Sequence, residues 1–168
     1  MAVSPSPRAA LSLPSDTEIL VTREFDAPRN LVYEAWTTPK LVERWWHANR
    51  GRVTLVEIDL RVGGKWRYVM LADDGTEVGF HGRYLEIVPG QRLVTSEVYE
   101  GLPAGVTEDM GATTNTLTLT DTENGRTLTT LLIHATSKQS RDAIIASGME
   151  LGLQDALDLL ETTARTLR

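Results

Sequence analysis

A series of β-strand-like runs, followed by one amphipathic helix, constrains this fold most. The runs are rich in β-branched and aromatic residues and lie near 52–60, 64–72, 77–88, 92–100, 112–121 and 126–136. Turn sequences separate most of them, namely Gly63-Gly64, Asp73-Asp74-Gly75, Pro89-Gly90 and Asn124-Gly125. Five or six consecutive strands with such short connections predict an antiparallel meander. The one long connection, 101–111, is interpreted as a lid or a surface loop.

The C-terminal segment predicts a helix of about 27 residues over 140–167, with Ser140 as its N-cap. Its apolar residues recur at three- and four-residue steps and are Ile145, Met149, Leu153, Ala156, Leu157, Leu160, Ala164 and Leu167. A helix with one such stripe requires an apolar surface to cover. We therefore expect it to lie on the sheet.

The N-terminal third predicts a strand over 17–25 and then two helices. Asp26-Ala27-Pro28 ends the strand and begins a helix over 28–37, and a second short helix runs from Pro39 to about Trp46. The resulting order, β-α-α-β(5–6)-α, predicts an α+β fold in which a curved antiparallel sheet of six or seven strands holds the long helix. We expect one domain over 17–168 and a flexible Ser- and Pro-containing tail over 1–16.

Composition excludes several classes of function. The 168 residues carry a net charge of −6, which argues against nucleic acid or an anionic membrane as a partner. The chain has no Cys and no apolar run of membrane-spanning length, so a cytoplasmic protein is expected. His47, His81 and His134 match no zinc motif, and we expect no metal and no cofactor. His47 is interpreted as an exposed cap at a helix end.

The turn sequences also predict which side chains share the inner face of the sheet. A three-residue loop at 73–75 places Trp66, Tyr68 and Met70 opposite Gly82, Phe80 and Val78. A two-residue turn at Pro89-Gly90 places Tyr84, Gly82 and Phe80 opposite Thr95, Glu97 and Tyr99. The inner face then contains Trp66, Tyr68, Met70, Phe80, Tyr84 and Tyr99 around Gly82, with Glu97 as its lone charge.

Glu97 is the most notable polar residue of this face. An ionised carboxylate among aromatic rings is unfavourable unless it has a partner, a raised pKa or a ligand. A two-residue turn at Asn124-Gly125 would place Leu117 opposite Leu132 and Asn115 opposite His134, so Asn115 and His134 are candidate partners. Glu97 and His134 are the candidates for proton transfer or ligand orientation; the alternative is a paired or solvent-reaching Glu97.

Trp45 and Trp46 are adjacent, so on a helix their side chains point about 100° apart. Trp45 lies three and four residues from Val42 and Leu41 and fits the face packed on the domain. Trp46 is then free to form the rim of a cavity.

Four segments together resemble one known superfamily, and they span about residues 17–167. They read "TREFDAPRNLVYEAWTTPKLVERWW", "RVGGKWRYVM", "FHGRYLEIVPGQRLV" and "SRDAIIASGMELGLQDALDLL". The chain is similar to the START-like (SRPBCC) superfamily, and within it to bacterial homologues of the activator of heat-shock protein 90 ATPase. The resemblance implies a helix-grip fold with a hydrophobic cavity between sheet and helix, closed by two small helices. Leu153 stands where many relatives have Trp, which would enlarge that cavity.

Three functions follow from the resemblance, because this fold serves several. The first is binding of a lipid-like or aromatic polyketide-like ligand in the cavity, the second a polyketide cyclase-like enzyme, and the third a co-chaperone module that contacts a protein. Either a monomer or a homodimer is compatible with the sequence. The predicted ligand-binding residues are Trp45, Trp46, Trp66, Tyr68, Met70, Phe80, Tyr84, Glu97, Tyr99, Leu117, Leu132, Met149, Leu153 and Ala156.

Overall fold

The computed structural model describes residues 8–168. Its elements, in chain order, are β1 (Ala10–Ser12), β2 (Glu18–Phe25), α1 (Arg29–Thr37), α2 (Pro39–Val42), β3 (Gly51–Ile58), β4 (Lys65–Ala72), β5 (Glu77–Val88), β6 (Arg92–Tyr99), α3 (Glu108–Gly111), β7 (Thr113–Asp121), β8 (Thr127–Ala135), α4 (Lys138–Ala146) and α5 (Met149–Arg165). The strands form one antiparallel sheet in the order β1-β2-β8-β7-β6-β5-β4-β3. The predicted α+β helix-grip fold is confirmed, with eight strands among the described residues.

The additional strand comes from the segment predicted to be a tail. Residues 10–12 pair antiparallel with β2, with Leu11 opposite Val21. Ala9 is buried, and its backbone N–H and C=O both bond to the Gln154 side chain, at 3.0 and 2.7 Å. The tail prediction is therefore wrong for this part of 1–16, because a distant helix supplies hydrogen bonds that local composition does not reveal. Residues 1–7 lie outside the described residues.

The predicted single C-terminal helix is two helices. Gly148 separates α4 from α5 and has a φ of +83°, the left-handed region that interrupts a right-handed helix. The N-cap of α4 is Ser137 rather than Ser140, and its Oγ accepts a hydrogen bond from the Ser140 N–H at 3.0 Å. Within α4, Ile144 packs on the core, whereas Ile145 is exposed.

Helix α2 is also shorter than predicted. It ends at Val42, and hydrogen-bonded turns continue to residue 49. Ala48 and Asn49 have positive φ values of 51° and 60°, which end any helical path. His47 therefore caps no helix; its Nδ1 accepts a hydrogen bond from the Asn49 N–H at 3.0 Å.

The core lies between α5 and the β2 side of the sheet. Leu157, Leu160 and Ala164 of α5 are buried, as are the alternate residues Ile19, Val21 and Phe25 of β2. Arg23 belongs to the same alternation and is also buried. It donates to Asp158 at 2.5 Å, and its guanidinium lies 5.0 Å from the centroid of the Phe25 ring. Burial of this cation was not anticipated from the sequence.

Helices that could cross a membrane were sought over residues 8–168, and none is both long and apolar enough. The same residues contain no cluster of three His, Cys, Asp or Glu side chains that could hold a metal ion.

Candidate functional site

Two hairpin registers bring the predicted inner-face residues together. Trp66 pairs with Gly82, Tyr68 with Phe80 and Met70 with Val78, as predicted. Phe80 pairs with Tyr99 and Tyr84 with Thr95, also as predicted. The turn between β5 and β6 is nevertheless one residue longer than expected, because Val88 pairs with Arg92. An irregularity between Tyr84 and Glu86 then shifts the pairing back by one residue. The longer turn therefore leaves the pairs at Tyr84 and Phe80 as predicted.

The register predicted for the last hairpin is wrong. Leu117 pairs with Leu131 and Asn115 with Ile133, because the connection is a five-residue loop over 122–126 rather than a two-residue turn. Strand side chains alternate between faces, so this shift moves Leu132 and His134 to the outer face. His134 is exposed and lies opposite Glu18 and Thr114. It cannot serve as a partner for Glu97.

The adjacent tryptophans separate as predicted. Trp45 is buried, donates from Nε1 to the Ala35 carbonyl at 2.9 Å and packs edge-on against Trp36 at 5.7 Å. Trp46 turns to the sheet, where its ring centroid lies 5.5 Å from that of Tyr68 and 5.9 Å from that of Phe80. One tryptophan anchors the α1–α2 region and the other covers the inner face.

Two further ring pairs extend this aromatic cluster. Trp66 lies 4.9 Å from Tyr68, and Phe80 lies 5.0 Å from Tyr99, measured between ring centroids. We call Trp46, Trp66, Tyr68, Phe80 and Tyr99 the aromatic cluster. It lines the inner face of β4, β5 and β6 together with the turn after α2.

Gly82 allows the aromatic cluster to lie flat on the sheet. The Trp66 indole crosses Gly82 and donates to the Ser96 carbonyl at 3.1 Å. A Cβ at position 82 would be 1.8 Å from that carbonyl oxygen and 2.8 Å from the indole nitrogen. Any other residue would therefore force both the β6 backbone at Ser96 and the Trp66 indole to move.

Glu97 lies beside this cluster and is held by an amide. Asn115 Nδ2 donates to Glu97 Oε2 at 2.9 Å, and Thr113 Oγ1 donates to Asn115 Oδ1 at 3.0 Å. Burial raises the pKa of the Glu97 carboxyl above its ordinary value, and hydrogen bonds from Asn115 and Thr113 partly oppose that shift. Asn115, one of the two candidate partners, is thus the one that the fold supplies.

Tyrosine hydroxyls complete the polar part of the site. Burial raises the pKa of Tyr68 well above its usual range, and the nearby Tyr84 and Glu97 raise it further. Burial likewise raises the pKa of Tyr84 to about 12, while its hydrogen bond to Tyr68 lowers it. Both hydroxyls are therefore neutral donors at physiological pH. The arrangement can hold a polar group of a ligand between a carboxyl and neutral hydroxyls, or transfer a proton through Glu97.

The site is packed but partly open to solvent. Tyr99 is 37% exposed, and Trp46, Tyr68, Phe80 and Glu97 are half-buried. Two surface depressions, of about 460 and 330 Å³, lie on the described chain around Arg29, Gln91 and Asp121. No predicted ligand-binding residue lines either depression. The rings instead contact one another in the space where the sequence predicts a cavity.

The other predicted ligand-binding residues lie around this site or on its flanks. Met70, Tyr84, Leu117 and Ala156 are buried in the sheet and helix layers. Met149 and Leu153 of α5 are half-buried and pack against the core. Gly152, beside Leu153, has no atom within 4 Å of where a Cβ would be, so open space adjoins α5 at this point.

A charged cluster on the outer face was missed. Glu100 accepts two hydrogen bonds from Arg67, at 2.9 and 2.8 Å, and lies 2.9 Å from His81 Nδ1. The Arg67 guanidinium is the main cause of a Glu100 pKa of about 2. Glu100 lies against Gly79, where a Cβ would be 2.7 Å from its Oε1. The register of this hairpin pairs Arg67 with His81, and Glu100 lies beside both.

Solved structures share the architecture over nearly the whole chain. A crystal structure of a Rhodobacter sphaeroides protein is 26% identical, with 95% of this chain and 99% of that chain covered at a TM-score of 0.84. A solution structure from Arthrobacter aurescens is 25% identical, with coverages of 94% and 91% and a TM-score of 0.80. A crystal structure from Chromobacterium violaceum is 29% identical, with coverages of 86% and 95% and a TM-score of 0.71. None of the curated proteins matches this chain.

A family model also matches most of the chain. It is described as activator of Hsp90 ATPase homolog 1-like protein and matches residues 26–165, from the end of β2 to the end of α5. The matched span contains α1, α2, every residue of the aromatic cluster, Glu97 and the C-terminal helices. On this match and the shared helix-grip fold, the chain belongs to the activator of Hsp90 ATPase homolog 1-like family, within the START-like (SRPBCC) superfamily.

Proposed function

We propose that this protein binds a small, largely apolar ligand on the inner face of its sheet, where the ligand contacts the aromatic cluster and its polar group meets Glu97. The observation that carries the proposal is the partly exposed aromatic cluster, whose Trp66 is buried, beside the half-buried Glu97 carboxyl that Asn115 holds. Ligand sites commonly combine an apolar lining with a few polar groups that orient the ligand.

Trp46 is the side chain that a ligand would displace. It meets Tyr68 and Phe80 at interplanar angles of 71° and 83°, so a ring edge rather than a stacked face makes each contact. It also belongs to the irregular turn that ends at Ala48 and Asn49, rather than to a packed helix. Movement of this turn would uncover the faces of Tyr68 and Phe80.

Polyketide cyclase-like catalysis is a second candidate, supported by the hydrogen-bonded Tyr68 and Tyr84 hydroxyls beside Glu97. Neutral hydroxyls could polarise a ligand carbonyl while the carboxyl transfers a proton. Measured turnover of a poly-ketone tests this candidate, because a protein that only binds the compound would not convert it.

A protein-interaction role is a third candidate, supported by exposed apolar residues on the loop after β3 and on β5. Leu60, Val62 and Leu85 are 41%, 63% and 49% exposed, and the Gly63 N–H donates to the Tyr84 carbonyl at 2.7 Å beside them. Such residues support a docking surface separate from the inner face.

A fluorescent neutral probe tests the binding proposal. N-phenyl-1-naphthylamine should bind with saturation at one site per chain. Phe80→Ala should weaken binding about tenfold or more because it removes a ring contact, whereas Trp46→Ala should not weaken binding because it removes the ring that the ligand displaces. Leu85→Ala is the matched control, since it truncates an exposed apolar side chain elsewhere. If the probe does not bind, or if only Leu85→Ala weakens its binding, the inner face is not the ligand site.

Native mass spectrometry of protein purified from its host gives an independent measurement. A co-purified small molecule that is lost in Phe80→Ala but retained in Leu85→Ala would support the proposal.

A further inference from the structure

We infer that the ligand's polar group is an ammonium, so that the site selects hydrophobic amines over fatty acids and neutral alcohols. The inference rests on the proposed function and concerns the same inner-face site. Its basis is charge complementarity between a lone carboxylate and the ligand, together with the π faces that surround that carboxylate.

The charges near the aromatic cluster exclude an anionic ligand group. The side chains that hold Glu97 in place, Asn115 and Thr113, are neutral, and Arg50, on the turn after Trp46, is paired with Asp155 at 2.8 Å. Arg67 of β4 is on the outer face, bound to Glu100. Arg23, the buried cation of the inner face, is on β2 under α5 and is paired with Asp158. A fatty-acid carboxylate would therefore meet Glu97 with no cation to offset the repulsion.

The rings around Glu97 favour a cation. Tyr99 follows Glu97 by two residues on the same strand, so both side chains are on one face, and Phe80 lies opposite Tyr99. Tyr68 is close enough for the Glu97 charge to raise its pKa, and Trp46 contacts both Tyr68 and Phe80. Aromatic faces attract ammonium groups that approach within about 6 Å of their centroids. A carboxylate among several such faces complements the charge and the apolar stem of an alkyl- or arylamine.

The hydrogen-bonding groups agree with this assignment. Glu97 Oε2 accepts from Asn115, and an ionised carboxylate has acceptor capacity on both oxygens. The Tyr68 and Tyr84 hydroxyls lie close enough to influence each other's pKa. An ammonium brings the donors that Glu97 lacks, whereas an alcohol brings one donor and no charge.

A matched probe set tests the inference. The probes are 2-(1-naphthyl)ethylamine, 2-(1-naphthyl)ethanol and 1-naphthylacetic acid, titrated at pH 7.5 by calorimetry and tryptophan fluorescence. The amine should bind at least about tenfold more tightly than the alcohol, and the acid more weakly than either. Equal or tighter binding of the alcohol or the acid would overturn the ammonium assignment.

Substitutions of Glu97 test whether its carboxylate causes the preference for the amine. Glu97→Gln, which keeps shape and Asn115 contact, should reduce amine affinity to the alcohol's level, so that the preference for the amine is lost. Glu97→Asp should keep a reduced preference for the amine. Glu100→Gln, an outer-face control, should bind all three probes like the wild type. Retention of the full amine preference in folded Glu97→Gln would contradict the inference.

The wild type alone supplies a test that needs no variant. Glu97 binds an ammonium in its ionised form, so amine affinity should rise between pH 5 and pH 8, while alcohol affinity stays flat. The other titratable groups on the inner face around Glu97 are Tyr68, Tyr84 and Tyr99, and Tyr33 lies near Tyr84. Burial raises the pKa of Tyr33, Tyr68 and Tyr84, so these three stay neutral in this range. Amine affinity that is constant or falls with pH would contradict the assignment.

The two proposals fail in distinguishable ways. Failure of N-phenyl-1-naphthylamine and all three naphthyl probes to bind would reject the inner-face site itself. Binding of the neutral probe without any preference for the amine would reject the ammonium inference alone.

Discussion

Glu100 shows how one outer-face carboxylate is held by its neighbours. Arg67 contributes two parallel hydrogen bonds and His81 a third contact, and Gly79 provides the space in which the carboxylate lies. The Arg67 side chain is 43% exposed, so solvent and salt screen this pair strongly. The cluster therefore adds only modestly to stability, in spite of the low Glu100 pKa.

Glu100→Gln should lower the free energy of unfolding by roughly 0.5–1 kcal/mol at pH 7, the range of well-formed exposed ion pairs. The folded-state pKa of about 2 is below the ordinary value of 4.5, so the contribution of this carboxylate is complete above about pH 4.5. It declines as the pH falls toward 2. Urea unfolding of both proteins at pH 7, 5 and 3 should show a stability difference that shrinks only at the lowest pH.

Glu123→Gln, in the exposed loop over 122–126, is the control for this series. A constant difference between wild type and Glu100→Gln from pH 7 to pH 3 would show that the Arg67 pair does not stabilise the fold.

At the scale of elements, the break between α4 and α5 decides where each apolar side chain points. A continuous helix over 140–167 would keep Ile145 in line with Met149 and Leu153. The left-handed Gly148 instead restarts the helix in a new direction, and α5 covers the β2 side of the sheet. The inner face around Tyr99 is partly open, which is the condition for the proposed site.

Two glycines in this region should respond to alanine with opposite signs. Gly148→Ala should destabilise the protein by about 1–2 kcal/mol, because its φ of +83° is unfavourable for any residue with a Cβ. Gly152→Ala should stabilise it by about 0.8–1 kcal/mol, since this residue is helical and its Cβ would meet no atom within 4 Å. Thermal and urea unfolding of the two variants measure both effects.

Each glycine variant is the control for the other, because both make the same chemical change within five residues. Stabilisation by Gly148→Ala would mean that α4 and α5 merge into the single helix that the periodicity predicts.

For the whole molecule, a side-chain amide links the first described residues to the C-terminal helix. Gln154 is 6% exposed and exchanges two hydrogen bonds with the Ala9 backbone, 145 residues away in the chain. The Gln154 amide gives the Ala9 backbone the hydrogen bonds that a neighbouring strand would otherwise provide. β1 therefore depends on α5 as well as on its pairing with β2.

Gln154→Leu should reduce the free energy of unfolding by about 1–3 kcal/mol, because it leaves a buried N–H and C=O of Ala9 without partners. Hydrogen exchange of the Ala9 amide should accelerate together with that of β1. In a chain that lacks residues 1–9, the same substitution should cost clearly less, since the partner atoms are gone. An equal cost in both backgrounds would assign the effect to packing within α5.

The hairpin registers show what local sequence can predict about the site. Asp73-Asp74-Gly75 predicts its turn correctly, and the alternation of Trp66, Tyr68 and Met70 then places the aromatic residues on one face. The final register depends instead on β8 pairing with both β2 and β7. Asn124-Gly125 is a favourable sequence for a two-residue turn. The pairing of β8 with β2 and β7 sets a different register, however, and the connection becomes a five-residue loop.

Periodicity and turn chemistry in this sequence determine the element order, the α+β class, the separation of Trp45 from Trp46 and the aromatic inner face, because each depends on residues close together in the chain. Only the tertiary structure decides that Asn115 rather than His134 holds Glu97, that the C-terminal helix breaks at Gly148, and that Ala10–Ser12 joins the sheet. These outcomes depend on pairing and hydrogen bonds between distant residues. A one-residue shift in strand register, or one hydrogen bond from a distant amide, changes such an outcome. The residues nearby in the chain do not indicate that change.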